Sequence, residues 1–544
     1  MRKRLVRAVV LAYFLAACAA ASAQPPAPAQ GRPQGQAQAQ PGQKPPAAGP
    51  QVTAEPAKPA VAEKPFSVTR HAVTIDGKPV PYTATVGELV VAKPDETPGA
   101  SMFFVAYARE DVKDKAGRPL MFLFNGGPGS STVWLHLGGL GPKRVVLDEF
   151  GNAGAPPYAL ADSEFSLLDA TDLVFVDAVS TGFSRPLPGE NKSQFHGLDE
   201  DVATFGEFIR SFITRFERWG SPKFVLGESY GTTRAAGLSG WLQGRQNGIY
   251  LNGIVLLSSV LDFSTITFPP MGTTSYVAFL PHYTATAWFH KKLPADLQAG
   301  PLRAALDEAE RFALDEYPSI LVKGNRLAPA DYEAAARKIA RLTGLRVDYV
   351  KQSNLRIEHG RFVKELRRAD FLTVGRLDSR FTGRDADAAG ERSGMDPASA
   401  AMGGAFPTLL NAYVRDRLGY MKDIPYAVYG NVQPWNYQSR PSGGGPGQAM
   451  PRSSMMGGLP NVAMTLRQAL ADNPHLRVFC CNGYYDGATP YFGTEYTFSQ
   501  MGFGGEFEGR VTMGYYEAGH MMYIHKPSLA KLKRDLAEFI RSAL

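Results

Sequence analysis

From Phe66 onward the chain alternates apolar and polar positions in a readable way. Val73-Thr74-Ile75, the turn residues Asp76-Gly77 and an extended stretch to Val91 predict antiparallel strands around a turn. Compact apolar runs follow at 120–124, 173–176, 224–226, 254–257 and 476–479, each short enough for a buried strand. Helical periodicity lies between several of them, as at 199–216, so the pattern predicts an α/β class with a mostly parallel central sheet. Three of these runs end in polar, glycine-rich segments: Asn125-Gly126-Gly127-Pro128-Gly129, Gly227-Glu228-Ser229-Tyr230-Gly231 and Asn482-Gly483-Tyr484-Tyr485-Asp486. In open α/β sheets the carboxyl ends of strands carry the chemistry, so the three loops are expected to converge on one site.

The strand-loop rhythm lapses between Asp262 and Ala471. Leu302, Leu306, Ala309 and Ala313 recur at helical spacing, and Pro329 and Gly344 have start and stop character for another helix. Glycine-rich stretches at 390–404 and 442–458 read as loops. The expected organisation is a core from residues 65–262 and 471–544, interrupted by a largely helical cap at 263–470.

Composition narrows the classes. Hydrophobic residues at 44% and charged residues at 20% exclude a wholly disordered, collagen-like or polytopic membrane protein. The formal net charge of +7 would suit an acidic partner, but it is concentrated at one end. Arg2, Lys3, Arg4 and Arg7 give residues 1–23 a charge of +4, residues 24–64 add +2, and the remainder carries +1. The nearly neutral folded part gives no signal for nucleic acid or a membrane surface.

The same basic cluster precedes an apolar run and Ala21-Ser22-Ala23, the pattern of a secretory signal in residues 1–23. The run is shorter than the roughly 20 residues a bilayer span needs. Leu15-Ala16-Ala17-Cys18 also fits a bacterial lipoprotein signal, with Cys18 as a lipidated first residue, although cleavage after Ala23 is better placed. Either route exports the protein to the periplasm or the exterior, and a membrane is a partner only if Cys18 is lipidated. Residues 24–64 are rich in Pro, Gln and Ala with no aromatic residue, and read as a disordered linker. Cys480 and Cys481 are neighbours, which leaves free thiols or a strained vicinal disulfide open.

The chemistry-bearing residues follow from the loops. Ser229 lies in G-x-S-x-G, after a predicted strand and before a helical pattern at 232–243. The glycines permit a sharp turn that lifts the hydroxyl into a cleft and brings a helix amino end to developing negative charge. A serine hydroxyl needs a base to accept its proton and a carboxylate to hold that base in the right tautomer. In the chain order Ser, acid, His, only His520 and His525 follow Asp486. His520 follows the small-residue loop Glu517-Ala518-Gly519, whereas His525 precedes Lys526-Pro527, a helix start; His520 is the expected base and Asp486 its orienting acid. Amides of the 125–129 loop are candidates to bind an oxyanion, and the loop lacks the Lys-Ser/Thr ending of a nucleotide loop. The nine histidines show no metal-ligand spacing, so no metal or other cofactor is expected.

Taken together and in order, Phe124 to Ser131, Gly227 to Gly231 and Gly519-His520-Met521 resemble the serine carboxypeptidase family of α/β-hydrolases, in a bacterial-type exported member. Asp177 through Gly182-Phe183-Ser184 resembles a further loop of that family, and the likeness spans 66–262 and 471–544. The resemblance implies an α/β-hydrolase fold and release of C-terminal residues from peptides through an acyl-enzyme on Ser229. It also implies an oxyanion hole from the backbone N–H groups of Gly127 and Tyr230. Asn125, Gly126 and Glu228 would hold the substrate's C-terminal carboxylate. Two carboxylates associate only by sharing a proton, which predicts better activity below neutral pH. Three positions depart from the family pattern: Gly139 stands where a second Glu is common, Leu123 replaces a Trp, and Ser130 replaces a Cys. An esterase or acyltransferase could use the same triad. A non-catalytic surface binding protein would be expected to lack a triad member, and none is missing. The sequence fixes no oligomeric state.

Overall fold

The computed structural model describes residues 65–438 and 459–544, apart from Phe503 and Glu508. The expected signal segment 1–23 with Cys18, the linker 24–64 and the 442–458 loop lie outside the described residues. The described strands are β1 (Ser67–Ile75), β2 (Lys78–Ala92), β3 (Pro98–Arg109), β4 (Leu120–Phe124), β5 (Lys143–Val145), β6 (Leu160–Asp162), β7 (Asp172–Val176), β8 (Arg185–Pro186), β9 (Lys223–Glu228), β10 (Gly253–Leu257), β11 (Thr373–Val374), β12 (Thr382–Gly383), β13 (Arg477–Gly483) and β14 (Val511–Tyr516).

One large sheet runs in the order β1-β2-β3-β7-β4-β9-β10-β13-β14, with β8 paired to β3. From β7 to β14 its strands are parallel, while β1, β2 and β3 form an antiparallel flank that joins at β7. Parallel strands are covered on both faces and so read as continuous apolar runs, and every residue of β4, β7 and β10 is buried. Successive side chains of β10 show the period of two: Val255 and Leu257 enter one hydrophobic cluster, Ile254 and Leu256 the other. The helix Lys526–Ser542 supplies Leu529, Leu532, Leu536 and Ile540 to the first cluster. The helices Leu198–Arg215 and Tyr230–Gln243 supply Phe205, Phe208, Phe212 and Leu238 to the second. This is an α/β-hydrolase architecture, a mostly parallel sheet between helical layers.

Cys480 and Cys481 are free and buried on opposite faces of β13, one in each cluster. Burial pushes both thiols well above the ordinary range.

The helices Thr274–Phe289, Leu302–Asp315 and Pro329–Thr343 build a third hydrophobic cluster, which also takes Tyr485, Tyr491 and Phe492 from the chain after β13. The expected loop at 390–404 contains a short helix, Pro397–Met402, whose first turn is capped by the Asp396 side chain accepting from the Ala398 amide. A Pro at the start and a capping Asp outweigh the surrounding glycines. The helix Ala463–Asp472 contributes Leu466, Ala469 and Leu470 to the sheet-side cluster shared with the helix Tyr230–Gln243.

Candidate active site

β9 ends at Glu228, and Ser229 turns the chain into the helix Tyr230–Gln243 at φ 61° and ψ −130°. A non-glycine residue held there costs about 1–3 kcal/mol and persists only if its surroundings fix it. Here the Ser229 amide donates to the Leu257 carbonyl at 3.0 Å, and the Ser229 carbonyl accepts from the Thr232 amide and hydroxyl. The flanking glycines are required by close approach. A side chain on Gly227 would overlap the Gly231 carbonyl, and one on Gly231 would come within 2.8 Å of the Phe124 carbonyl. The hydroxyl-bearing residue thus sits at a helix amino end, where backbone N–H groups favour negative charge.

Asp486, fully buried after β13, accepts from the amides of Ala488 at 2.8 Å and Thr489 at 3.0 Å through Oδ1. Its Oδ2 accepts from the Thr489 hydroxyl at 2.8 Å and lies 2.9 Å from His520 Nδ1. Burial works to raise the Asp486 pKa, but the His520 charge and these hydrogen bonds outweigh it and hold the carboxyl below its usual range. Burial likewise pulls His520 down, and the Asp486 charge and hydrogen bond, with the Glu228 charge, leave it above its usual value. With Nδ1 committed to Asp486, Nε2 is the nitrogen left for a reacting proton. The His520 backbone is held at both ends: its amide donates to the Leu377 carbonyl at 2.6 Å, and its carbonyl accepts from the Ser258 hydroxyl at 2.7 Å.

Ser229 and His520 line one cavity of about 260 Å³, together with Asn125, Gly126, Gly127 and Glu228. A side chain on Gly126 would come within 2.5 Å of the Tyr230 amide nitrogen, so the 125–129 loop lies directly against the turn at Ser229. Among the described residues no acceptor takes the N–H of Gly127 or of Tyr230. Asn125 is fixed beneath the cavity: its Oδ1 accepts from the Leu135 amide at 3.0 Å, and its carbonyl accepts from Arg234 at 2.8 Å. Arg234 is itself fully buried, ion-paired with Asp201 at 2.7 Å and set against the rings of Phe124, Phe205 and Tyr230. Glu228 is buried with its Oε2 accepting from the Tyr523 hydroxyl at 2.8 Å. Burial pushes its carboxyl up to about 7, against the pull of the His520 charge and the hydrogen bonds from Tyr523 and Asn125. His525 is placed elsewhere, at the start of the helix Lys526–Ser542, with Nδ1 2.8 Å from the Ser528 hydroxyl.

Gly139 does not line the cavity. Its φ is +115°, a strained conformation for any side-chain-bearing residue, and a Cβ there would fall 2.7 Å from Leu529 Cδ2. Asp177 anchors the loop it begins. It is buried, accepts from the Thr132 amide at 2.8 Å and the Tyr426 hydroxyl at 3.2 Å, and is pushed up to about 6 by burial.

Among the residues of this cavity or its immediate support that sequence reasoning missed are Tyr523, Trp134, Asp396 and Arg376. Tyr523 lies three residues after His520 and was the most accessible to local inspection. Arg376 and Asp396 sit in the region taken as cap, where no motif marked them.

Residues 85–266 match the serine carboxypeptidase family. A pheromone-processing carboxypeptidase of Saccharomyces cerevisiae is 32% identical over 135 residues, which is 24% of this chain and 17% of the yeast protein. Serine carboxypeptidase-like 36 of Arabidopsis thaliana is 30% identical over 149 residues, 26% of this chain and 27% of the plant protein. The chain therefore aligns with well under two thirds of either relative's length. The crystal structure of the Saccharomyces cerevisiae prohormone-processing carboxypeptidase overlaps 85% of this chain and 91% of its own, at 15% identity and a TM-score of 0.49. A proline iminopeptidase from Mycobacterium smegmatis overlaps 84% and 98%, at 16% identity and a TM-score of 0.34.

Proposed function

We propose that this chain is an exported serine carboxypeptidase that releases C-terminal residues from peptides. The observation that carries the reading is the His520–Asp486 pair, 2.9 Å apart, with His520 lining one cavity together with Ser229 and Glu228. In this reading His520 Nε2 takes the Ser229 proton as Oγ attacks the scissile carbonyl, and Asp486 keeps Nδ1 protonated and stabilises the imidazolium. The carbonyl oxygen, as it becomes an oxyanion, receives the N–H groups of Gly127 and Tyr230 at the helix amino end. His520 then returns the proton to the leaving amine, and water repeats the sequence on the acyl-enzyme. The carboxylate of the departing residue is held by Asn125, Gly126 and Glu228. Glu228 serves there while it keeps its proton, because it can then donate to that carboxylate.

Export rests on the signal pattern of residues 1–23, with Cys18 as the lipid site if the lipoprotein reading holds. No described helix is long and apolar enough to cross a membrane.

The test is a panel of N-blocked peptides with free or amidated C-termini, assayed from pH 4 to 8 with the native chain and Ser229→Ala. The expected result is release of the last residue from the free-carboxylate peptides only, and a loss of about a millionfold in turnover for the variant. Equal cleavage of both peptide forms, or hydrolysis of esters alone, would replace this reading with an esterase or acyltransferase using the same groups.

A further inference from the structure

Apart from the groups assigned above, the cavity wall carries two charged side chains, Arg376 and Asp396. Asp396 is fully engaged within the protein. Its Oδ1 accepts from the amides of Arg376 at 2.9 Å and Ala398 at 3.2 Å, and its Oδ2 accepts from the Leu377 amide at 3.1 Å and the Ser399 hydroxyl at 3.2 Å. All four acceptor directions of that carboxylate are turned toward the loop it organises.

The backbone that carries Arg376 is correspondingly fixed. The Arg376 carbonyl accepts from the Gly487 amide at 3.0 Å, next to Asp486, and the following carbonyl, Leu377, accepts from the His520 amide. The segment 376–377 is therefore tied to both loops that bear the acid and the base. The side chain is different: Arg376 is exposed at the cavity wall, and among the described residues no carboxylate or carbonyl pairs with its guanidinium. Its charge acts on His520 and on His359, opposing their protonation, which places it inside the electrostatic reach of the cavity floor. An unpaired guanidinium on a fixed backbone, in a cleft whose other charges are already matched, is a binding group for an anion. Arg suits a carboxylate in particular, through two parallel N–H donors.

We propose that Arg376 binds a carboxylate of the substrate's departing C-terminal residue. The inference deepens the carboxypeptidase reading and rests on it for the identity of the ligand. It gives the cleft a permanent positive charge where Glu228 can help only while protonated. Two carboxylates of such a residue could be the one bound, the main-chain terminus or an acidic side chain. Both are the same chemistry at the guanidinium.

The experiment is calorimetric binding of uncleaved, N-blocked tripeptides to Ser229→Ala, with and without Arg376→Gln, and with Arg376→Lys as the conservative variant. The tripeptides end in Ala with a free carboxylate, Ala amide, Glu with a free carboxylate, or Gln with a free carboxylate. If the main-chain terminus is bound, Arg376→Gln weakens all three free-carboxylate peptides by about tenfold or more and leaves the amide unchanged. If an acidic side chain is bound, only the Glu peptide is weakened. Arg376→Lys recovers part of the affinity in either case. Equal affinities with and without Arg376→Gln would overturn the proposal, as would an equal loss for the amide, which would mark a structural role. Because binding is read without turnover, this result stands apart from the peptidase test. A chain that fails to release C-terminal residues removes the reaction, whereas identical binding by the Arg376 variants removes only the carboxylate contact.

Discussion

Replacing Glu228 by glutamine keeps the shape of the side chain and removes its ionisation, so the variant isolates what burying this carboxyl does. In the unfolded chain the group titrates at its ordinary 4.5; in the folded protein burial pushes it to about 7. Below pH 4.5 both states hold the proton and the group contributes nothing to the pH dependence of stability. Between pH 4.5 and about 7 the unfolded chain ionises while the native state keeps its proton, so the wild-type protein loses stability as pH rises. Above about 7 both are ionised and the loss is constant. At about 1.4 kcal/mol per pH unit, the gap of roughly 2.5 units amounts to about 3 kcal/mol. Glutamine does not titrate. The stability of Glu228→Gln relative to wild type should therefore grow by about 3 kcal/mol between pH 4 and pH 8. Urea unfolding of both proteins at the two pH values, followed by tryptophan fluorescence, measures it. Any fixed difference, such as an altered hydrogen bond to Tyr523, cancels in the comparison. An offset that is the same at pH 4 and pH 8 would refute the reasoning, because it would mean that the carboxyl titrates at the same pH in the native and the unfolded states. Proton sharing between Glu228 and a substrate carboxylate would fall with it.

Two further outcomes follow from the geometry. Asp486→Asn should retain the fold, since asparagine still offers an oxygen to the amides of Ala488 and Thr489. It should nonetheless lower kcat by about ten-thousandfold, because the carboxamide no longer holds Nδ1 of His520 protonated; circular dichroism and steady-state kinetics check the two halves separately. Gly139→Ala should destabilise the protein by about 1–3 kcal/mol, through a side chain at φ +115° meeting Leu529, with substrate binding little changed because Gly139 lies outside the cavity. Unfolding by urea, read beside KM, tests it.

What could be read from the sequence divides along a physical line. Where the backbone must approach another backbone closely, the requirement leaves a glycine behind. Gly126, Gly227 and Gly231 each stand where a Cβ would meet neighbouring main chain, so the loops around Ser229 announced themselves. The buried parallel strands were equally legible, since burial on both faces demands an unbroken apolar run; β4 is Leu-Met-Phe-Leu-Phe. β3 was not anticipated, although it is the strand that joins the antiparallel flank to the parallel strands and carries an unbroken apolar run from Met102 to Ala108. Side chains that reach the site across the fold left no local trace: Tyr523 meets Glu228 across 295 positions of sequence.

The attachment of the 376–378 loop is the extreme case, for a reason that also bears on how the site evolves its specificity. The Leu377 carbonyl accepts from the His520 amide, and the Arg376 carbonyl accepts from the Gly487 amide. Bonds between main-chain groups are indifferent to the side chains above them, so they place no demand on residue identity at 376 or 377. Asp378 adds a demand of its own, accepting from the Gly519 amide at 3.0 Å while paired with Arg380, but that demand acts on its neighbours. The loop is thereby held against both catalytic loops while the residue at 376 is left free of structural duty. A position that is fixed in space, open to the cleft and unconstrained in identity is one where a charge can be introduced at little cost to the fold, and Arg376 stands there.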